Sequence, residues 1–369
     1  MSVERPKNIQ TRSGPHERLA RLRVSLSELG ADALLVSHLP NIRYLCGFSG
    51  SAGLLLVTGS ASTLFTDSRY TFQAREEVTG ARARIVKQGL LRAVGDALRG
   101  CRSRVAYAAS RMSVAEKQSL DAQVGRGIRW VADANLVEKL RAVKDATELA
   151  TIREAAVVVS DVFRRTLALT KPDISELELA AEIDYGIKRS GGSGPSFETI
   201  VASGPRSAWA HARPTRKPLG KSGLVVLDQG AIIRGYCSDM TRTVHVGRAS
   251  ARTKRLYHAV LEAQQAAKHA IRPGVTAGEV DQAARASLRS SKLDRYFTHS
   301  TGHGLGLEVH EMPRLGRGEA TALEEGMVVT VEPGVYIEGF GGIRIEDDVV
   351  VTARGCDDLT TAPRDFLEI

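Results

Sequence analysis

Two stretches of this chain repeat one another at a fixed distance, and that repeat constrains the fold more than any other feature. One reads AAVVVSDVFRRTLALTKPDISELELAAEI, the other HAVLEAQQAAKHAIRPGVTAGEVDQAARA. Each is an alanine-rich helical stretch followed by a basic residue and proline (Lys171-Pro172; Arg272-Pro273). A hydrophobic residue and a Ser or Thr suited to capping come next (Ser175; Thr276). A second helix then opens with an acid and an aliphatic residue (Glu178-Leu179; Glu279-Val280). The offset is 101 residues throughout. Strand-like sequence follows each helical pair, so this region reads as two α/β halves related by an approximate two-fold axis.

The strands that follow carry acids at matching places. GLVVLDQG brings Asp228 to the end of an apolar strand, and Asp239 follows in YCSDMTRTVHVG, which alternates as a half-buried strand. In the second half MVVTVEPGVYI carries Glu332 and GGIRIEDDVVV carries Glu346. The spacings, 104 residues from Asp228 to Glu332 and 107 from Asp239 to Glu346, stay close to the helical offset. Two acids from each half therefore meet on the pseudo-axis. Four carboxylates cannot all ionise in one buried place without cations, because each raises the others' pKa. A divalent metal resolves the conflict, and carboxylates with one imidazole suit manganese, iron, cobalt or zinc, with bridging carboxylates suiting two ions.

The imidazole is His303, set between glycines in TGHGLGLEVHE so that the backbone can approach closely and the ring project into a cavity. His299, His310 and, in AWAHARPT, His211 are further candidates. Arg344 and Glu346, two apart on one strand, share a face, which sets a guanidinium to keep a ligand carboxylate ionised or to hold a substrate carboxylate. Taken singly, each of these residues has an ordinary reading as a turn acid, a solvated edge or a hydrogen-bonded histidine. Taken together, acids repeated across two halves with apolar flanks point to a metal site.

The 369 residues are enough for two domains. Ahead of the repeat, PHERLARLRVSLSELG reads as a helix ending at Gly30. ADALLVS, LLLVTG, STLFTD, IVKQG, RVAYAAS and RWVAD read as strands, with LLLVTG and STLFTD paired across a Gly-Ser turn. This alternation gives an α/β domain over 1–138, with the second domain at 139–369 and the junction within the charged, helical VEKLRAVKDATELATIREAA. No run approaches a membrane span, and the opening residues lack the apolar core of a secretory signal. Cys46, Cys101, Cys237 and Cys356 are far apart with no CxxC pair, which fits reduced thiols in a cytoplasmic protein. The net charge is +9, but the basic residues are scattered among acids, so nucleic-acid binding is not indicated. The first dozen residues, MSVERPKNIQTR, are expected to be disordered.

The succession LDQGA, SDMTRT, TGHGLGLEVHE, VEPGVY, GGIRIED resembles the five-ligand signature of the pita-bread metallopeptidases, the superfamily of methionine aminopeptidase, prolidase and aminopeptidase P. The resemblance implies a creatinase/prolidase-like α/β amino-terminal domain and an α+β pita-bread catalytic domain with internal pseudo-two-fold symmetry. Carried over by motif, Asp228 and Asp239 ligate one metal, Asp239 and Glu346 bridge, and His303 and Glu332 complete the other. It also implies that Glu332 acts as general acid and base, that His211, His299, His310 and Arg344 serve the substrate, and that His211 or His310 steadies the developing oxyanion. Manganese or cobalt is the expected metal and a homodimer the expected assembly. NIRYLCGFSGSAGLLLV and LFTDSRYTFQA are similar to the amino-terminal domain of proline-specific members, which methionine aminopeptidases lack. The expected activity is that of a Xaa-Pro aminopeptidase, for FSGSAGLLLV resembles that branch. The alternative is a Xaa-Pro dipeptidase (prolidase), decided by what blocks the far end of the cleft. The alternative of another class, a metal-free binding protein on the same fold, has lost ligands where this chain keeps all five.

Overall fold

The computed structural model describes residues 14–133 and 135–369. The opening segment read above as disordered lies outside them. The chain divides into two compact units, the first ending at Arg141 and the second beginning at Ala142.

In the first unit six strands form one mixed sheet in the order 82–86, 62–67, 54–58, 33–36, 103–108, 128–133. The Leu54–Thr58 and Ser62–Asp67 strands pair antiparallel as expected, while Ala33–Val36 runs parallel to Ser103–Ala108. The first helix spans Pro15–Glu28 and turns out through Gly30, whose φ of 65° suits glycine. Leu35, Val94, Val105 and Leu120 are fully buried between sheet and helices.

The junction differs from the single helical stretch read in the sequence. A short helix, Leu136–Ala142, stops, and a new one, Ala146–Leu167, begins. Asp145 is the reason: its carboxylate accepts from the N–H groups of Thr147 and Glu148, while Glu148 reaches back to the Asp145 N–H. That reciprocal cap is a helix start, so the charged run cannot be continuous.

In the second unit the repeat is explicit. Helices Ala146–Leu167 and Glu176–Arg189 precede one set of strands; helices Ala251–Ala270 and Ala277–Ser290 precede the other. Ser175 and Thr276 each make the same capping box, with Glu178 and Glu279 respectively. The backbone repeats too: Leu177 N–H bonds Thr215 O where Gly278 N–H bonds Glu319 O, and Leu219 N–H bonds Ile174 O where Leu323 N–H bonds Val275 O. Buried alanines at Ala263, Ala267, Ala277 and Ala284 let the second helix pair pack closely within its core.

The first half contributes a three-stranded sheet, with Gly223–Gln229 between Ile200–Ser203 and Met240–Val246. The second contributes five strands in the order 311–315, 302–304, 328–331, 347–352, 355–358. The Met240–Val246 strand is buried on both faces, not half-buried as its alternation suggested. Met240, Val244 and Val246 enter the first half's core. The polar members of the alternation face the second half instead of water. Thr243 Oγ1 donates to Arg344 O and accepts from Arg344 N–H, and Thr241 Oγ1 donates to Glu346.

Arg242 closes the seam. Its guanidinium, 1% exposed, donates to the carbonyls of Thr241, Glu346, Ala362 and Pro363 and to Asp347 Oδ1 at 2.6–2.9 Å. Asp347 also receives Lys268 and Arg364, and these cations outweigh the effect of its burial and hold its pKa at about 2. No helix among the described residues is long and apolar enough to cross a membrane.

Candidate metal centre

Each half delivers its acids at a strand end. Asp228 is paired across the antiparallel ladder with Thr241, and Asp239 stands just ahead of that partner strand. In the second half the pairing of Val331 with Asp347 brings Glu332 and Glu346 to adjoining ends. The strand carrying Arg344 stops there, so Glu346 follows it in a connection, yet both residues still face Thr241. Two bonds fasten the halves at this point: Glu346 N–H to Thr241 O at 3.1 Å, and Asp239 N–H to Asp348 Oδ2 at 3.0 Å.

His303 lies on the Gly302–Gly304 strand, and its neighbours must be glycine. A Cβ on Gly302 falls 2.0 Å from the Thr330 carbonyl oxygen, and one on Gly304 falls 2.1 Å from that of Met312. The ring's Nδ1 donates to Gly304 O at 3.0 Å, since a carbonyl only accepts. That fixes the tautomer and leaves the Nε2 lone pair facing Asp239 Oδ2 at 3.7 Å and Glu332 Oε1 at 3.6 Å. These separations exceed a hydrogen bond and leave room for a cation among the three donors.

The donor set fits divalent cations on three counts. Ligating atoms of Asp239, His303 and Glu346 all lie within 4.8 Å of one another. Asp228 Oδ1 is buried with no hydrogen-bond partner. The carboxyls are also strained as a group. Burial first, then Glu346 and Asp228, pushes Asp239 well above the carboxylate range; burial first, then Glu332 and Asp228, does the same to Glu346. Burial also raises Glu332 to about 7, opposed by Arg344 and reinforced by Asp228. His303 moves the other way, to about 4, because burial and neighbouring His310 disfavour its cation. Neutral imidazole is the form a metal binds, and a divalent cation would relieve the crowding that keeps these carboxyls protonated.

Arg344 organises one wall. It donates from Nη2 to Asp228 Oδ2 at 2.5 Å, from Nε to Thr241 Oγ1 at 3.0 Å, and from Nη1 to Ala210 O and the Tyr336 hydroxyl at 3.1 and 2.7 Å. Thr241 passes the contact on to Glu346 Oε2 at 2.6 Å. Tyr336 in turn donates to His299 Nε2 at 2.9 Å, because His299 Nδ1–H is committed to Ser300 O. Burial, and then Arg344, hold His299 down to about 4, so it stays the acceptor.

All nine residues singled out in the sequence line one cavity of about 640 Å³. His211 and His310 are exposed on it, with the His310 ring 4.3 Å from that of His303. Sequence reasoning missed Thr241 and Tyr336, which link the others, and Arg314, which shares the cavity. Arg314 is the direct cross-strand partner of His303. The alternation of EMPRL was the available signal, but it gives no register across an irregular pair.

Residues 150–353 match the family model "Metallopeptidase family M24", and residues 18–143 match "Creatinase/Prolidase N-terminal domain". The chain belongs to metallopeptidase family M24. This M24 hydrolase is 40% identical to the Uncharacterized peptidase YqhT of Bacillus subtilis (strain 168), across 95% of this chain and 99% of that one. Among solved structures it is similar to a Xaa-Pro dipeptidase from Bacillus anthracis, with 35% identity, a TM-score of 0.92 and coverage of 96% and 100%. It is also similar to an X-Pro aminopeptidase from Thermotoga maritima, with 35% identity, a TM-score of 0.87 and coverage of 95% and 99%. These likenesses span both units and accord with the pita-bread fold expected from the sequence.

Proposed function

We propose that this M24 metallopeptidase is a Xaa-Pro dipeptidase, in preference to the aminopeptidase expected from the sequence. The observation that carries the reading is the pairing of His303 with Arg314. Directly opposed strand residues project on one face, so Arg314 stands beside the candidate metal ligand, in the same cavity. Among the described residues no carboxylate pairs with it, whereas Arg344 is fully engaged and Arg213 meets Glu198 at 3.3 Å. An unengaged guanidinium close to the reacting centre suits the free carboxylate of a two-residue substrate. The similar Bacillus anthracis structure is named a Xaa-Pro dipeptidase, which supports the same choice. The similar Thermotoga maritima structure, named an X-Pro aminopeptidase, supports the second reading.

In this proposal Asp228, Asp239, His303, Glu332 and Glu346 would hold two divalent ions, with manganese preferred and cobalt, zinc or iron able to substitute. When bound, the pair supplies Lewis acidity, which lowers the pKa of a shared water and polarises the scissile carbonyl. Glu332 accepts the water's proton and returns it to the proline nitrogen as the C–N bond breaks. His310, and His211 across the cavity, present ring N–H groups to the carbonyl oxygen as negative charge grows there. Arg314 fixes the proline carboxylate and so sets the reach of the substrate. Arg344, through Asp228 and Thr241, steadies one ligand of each half.

The deciding assay compares Xaa-Pro, its C-terminal amide and Xaa-Pro-Yaa on manganese-loaded protein. Preference for the free dipeptide, with Arg314→Met raising its KM at least tenfold and leaving the amide unchanged, supports the dipeptidase. Equal turnover of the tripeptide and indifference to Arg314→Met establishes the aminopeptidase. A protein that retains no divalent ion points instead to the metal-free binding role.

A further inference from the structure

Behind the cavity, each half carries a buried carboxylate that touches none of the candidate ligands. In the first half it is Glu176, on the opening residue of its helix and fully buried. Its Oε1 accepts Ser203 N–H at 2.8 Å and Ser203 Oγ at 2.9 Å; its Oε2 accepts Thr215 N–H at 3.1 Å and Thr215 Oγ1 at 2.8 Å. Arg206 adds an ion pair at 3.2 Å, passes a second hydrogen bond to Arg213 O, and stacks over Trp209 at 4.8 Å. One carboxylate thus pins both ends of the 203–215 segment, whose middle presents His211.

The second half repeats the device with different positions. Asp281, 1% exposed, accepts Thr301 N–H at 3.1 Å and Thr301 Oγ1 at 2.9 Å on a single oxygen, as Glu176 does with Ser203. Arg285 pairs with Asp281 at 2.7 Å, donates to the carbonyls of Phe297 and His299, and lies over the Phe297 ring at 4.3 Å. Phe297 in turn meets the His299 ring edge-on, with centroids 5.0 Å apart. Carboxylate, arginine, hydroxyl residue and aromatic recur in both halves. The repeat offset, however, carries Glu176 onto Ala277, about one helical turn before Asp281.

We propose that Glu176 and Asp281 are positioning residues, which set the backbone that presents His211 to the substrate and His299 to the Tyr336 hydroxyl. This rests on the reading above that His211 serves the substrate. Charge-assisted bonds from a buried carboxylate are strong and directional, and a deeply buried group left with an unmet partner does not relax cheaply. The clamp holds the segment in place before substrate arrives, and a displacement near 1 Å at a reacting group costs on the order of 100-fold in rate.

The test is a double-mutant cycle on Xaa-Pro hydrolysis with Glu176→Gln and His211→Ala, and in parallel Asp281→Asn and His299→Ala. Metal content and the cobalt-loaded absorption spectrum of each protein are recorded. Expected are about a 10- to 100-fold loss of kcat/KM for Glu176→Gln, an unchanged cobalt spectrum, and a double variant no worse than His211→Ala alone. Multiplying losses would show that Glu176 acts elsewhere and overturn the proposal, as would a cobalt spectrum that shifts with it. If His211→Ala keeps full activity, the substrate role of that histidine fails first and the proposal falls with it. Should Glu176→Gln not fold, Thr215→Val removes one arm of the clamp and must show the same non-additivity with His211→Ala.

Discussion

Stripping the metal from this protein should reverse the usual effect of mild acid on its stability. Asp239, Glu332 and Glu346 all bind their protons more tightly folded than unfolded, because folding buries them against one another. A carboxyl with a raised folded pKa stabilises the fold at low pH, and that contribution is lost as pH rises through the folded value. His299 and His303, held down to about 4, work in the opposite sense as the pH approaches and passes their ordinary value of 6.5. Across the window from pH 8.5 to 6.5 the two histidines together oppose the carboxyls by about 1 kcal/mol, as their unfolded rings begin to protonate, so the net rise comes from Asp239 and Glu346. With Glu332 moving from its ordinary 4.5 to about 7, its own gain across that window is about 1 kcal/mol. Each of the other two adds up to about 1.4 kcal/mol per pH unit while it takes up its proton. Since each kcal/mol moves the melting temperature of a domain this size by about 2–4 °C, calorimetry on chelator-treated protein resolves the effect. The metal-loaded protein, its carboxylates held ionised, should lack the rise, and Glu332→Gln should lose its share. A stripped protein whose stability stays flat or falls from pH 8.5 to 6.5 would refute the reasoning.

Asp239→Asn should abolish tight metal binding in titration calorimetry, since that carboxylate lies against both halves' acids. Gly302→Ala should destabilise the catalytic unit by several kcal/mol and weaken metal binding together, because its Cβ meets a backbone carbonyl that has no room to yield; unaltered melting and metal content would count against the close approach. Ser175→Ala and Thr276→Ala should each cost about 1 kcal/mol in denaturant titrations, by similar amounts, as equivalent caps in the two halves. Tyr336→Phe should leave the metal in place, lower turnover, and free His299 Nε2 to titrate at higher pH, observable by NMR of the ring.

The sequence disclosed whatever depends on local chemistry. Ser175 and Thr276 were legible as caps because the residue types, spacing and following acids are themselves the mechanism. The acids at 228, 239, 332 and 346 were legible because a repeat brings equal positions together. What escaped depends on pairing between distant segments. Arg314 became visible only through its register opposite His303, which includes an irregular step at Gly304. Thr241 and Thr243 read as the wet face of a strand, since nothing local says that Arg344 and Glu346 will satisfy their hydroxyls. The break at Asp145 was readable from its capping box with Glu148, but the charged helical pattern on either side masked it. Glu176 and Asp281 hid for a further reason: the halves do the same job from positions a turn apart, so a fixed offset misses them.

Arg242 has a consequence for how the chain comes off the ribosome. It bonds residues 104 and 121 places further along, at Glu346 and Pro363. During synthesis the strand bearing it emerges, with Asp228 and Asp239 beside it, well before any of those partners exist. A guanidinium that ends up 1% exposed must therefore stay hydrated until the last strands arrive. The first unit's sheet is complete by residue 133 and has no such wait. In the nascent chain the catalytic centre is thus among the last parts that can assemble, and a stall before residue 346 leaves Arg242 without its carbonyl and carboxylate partners.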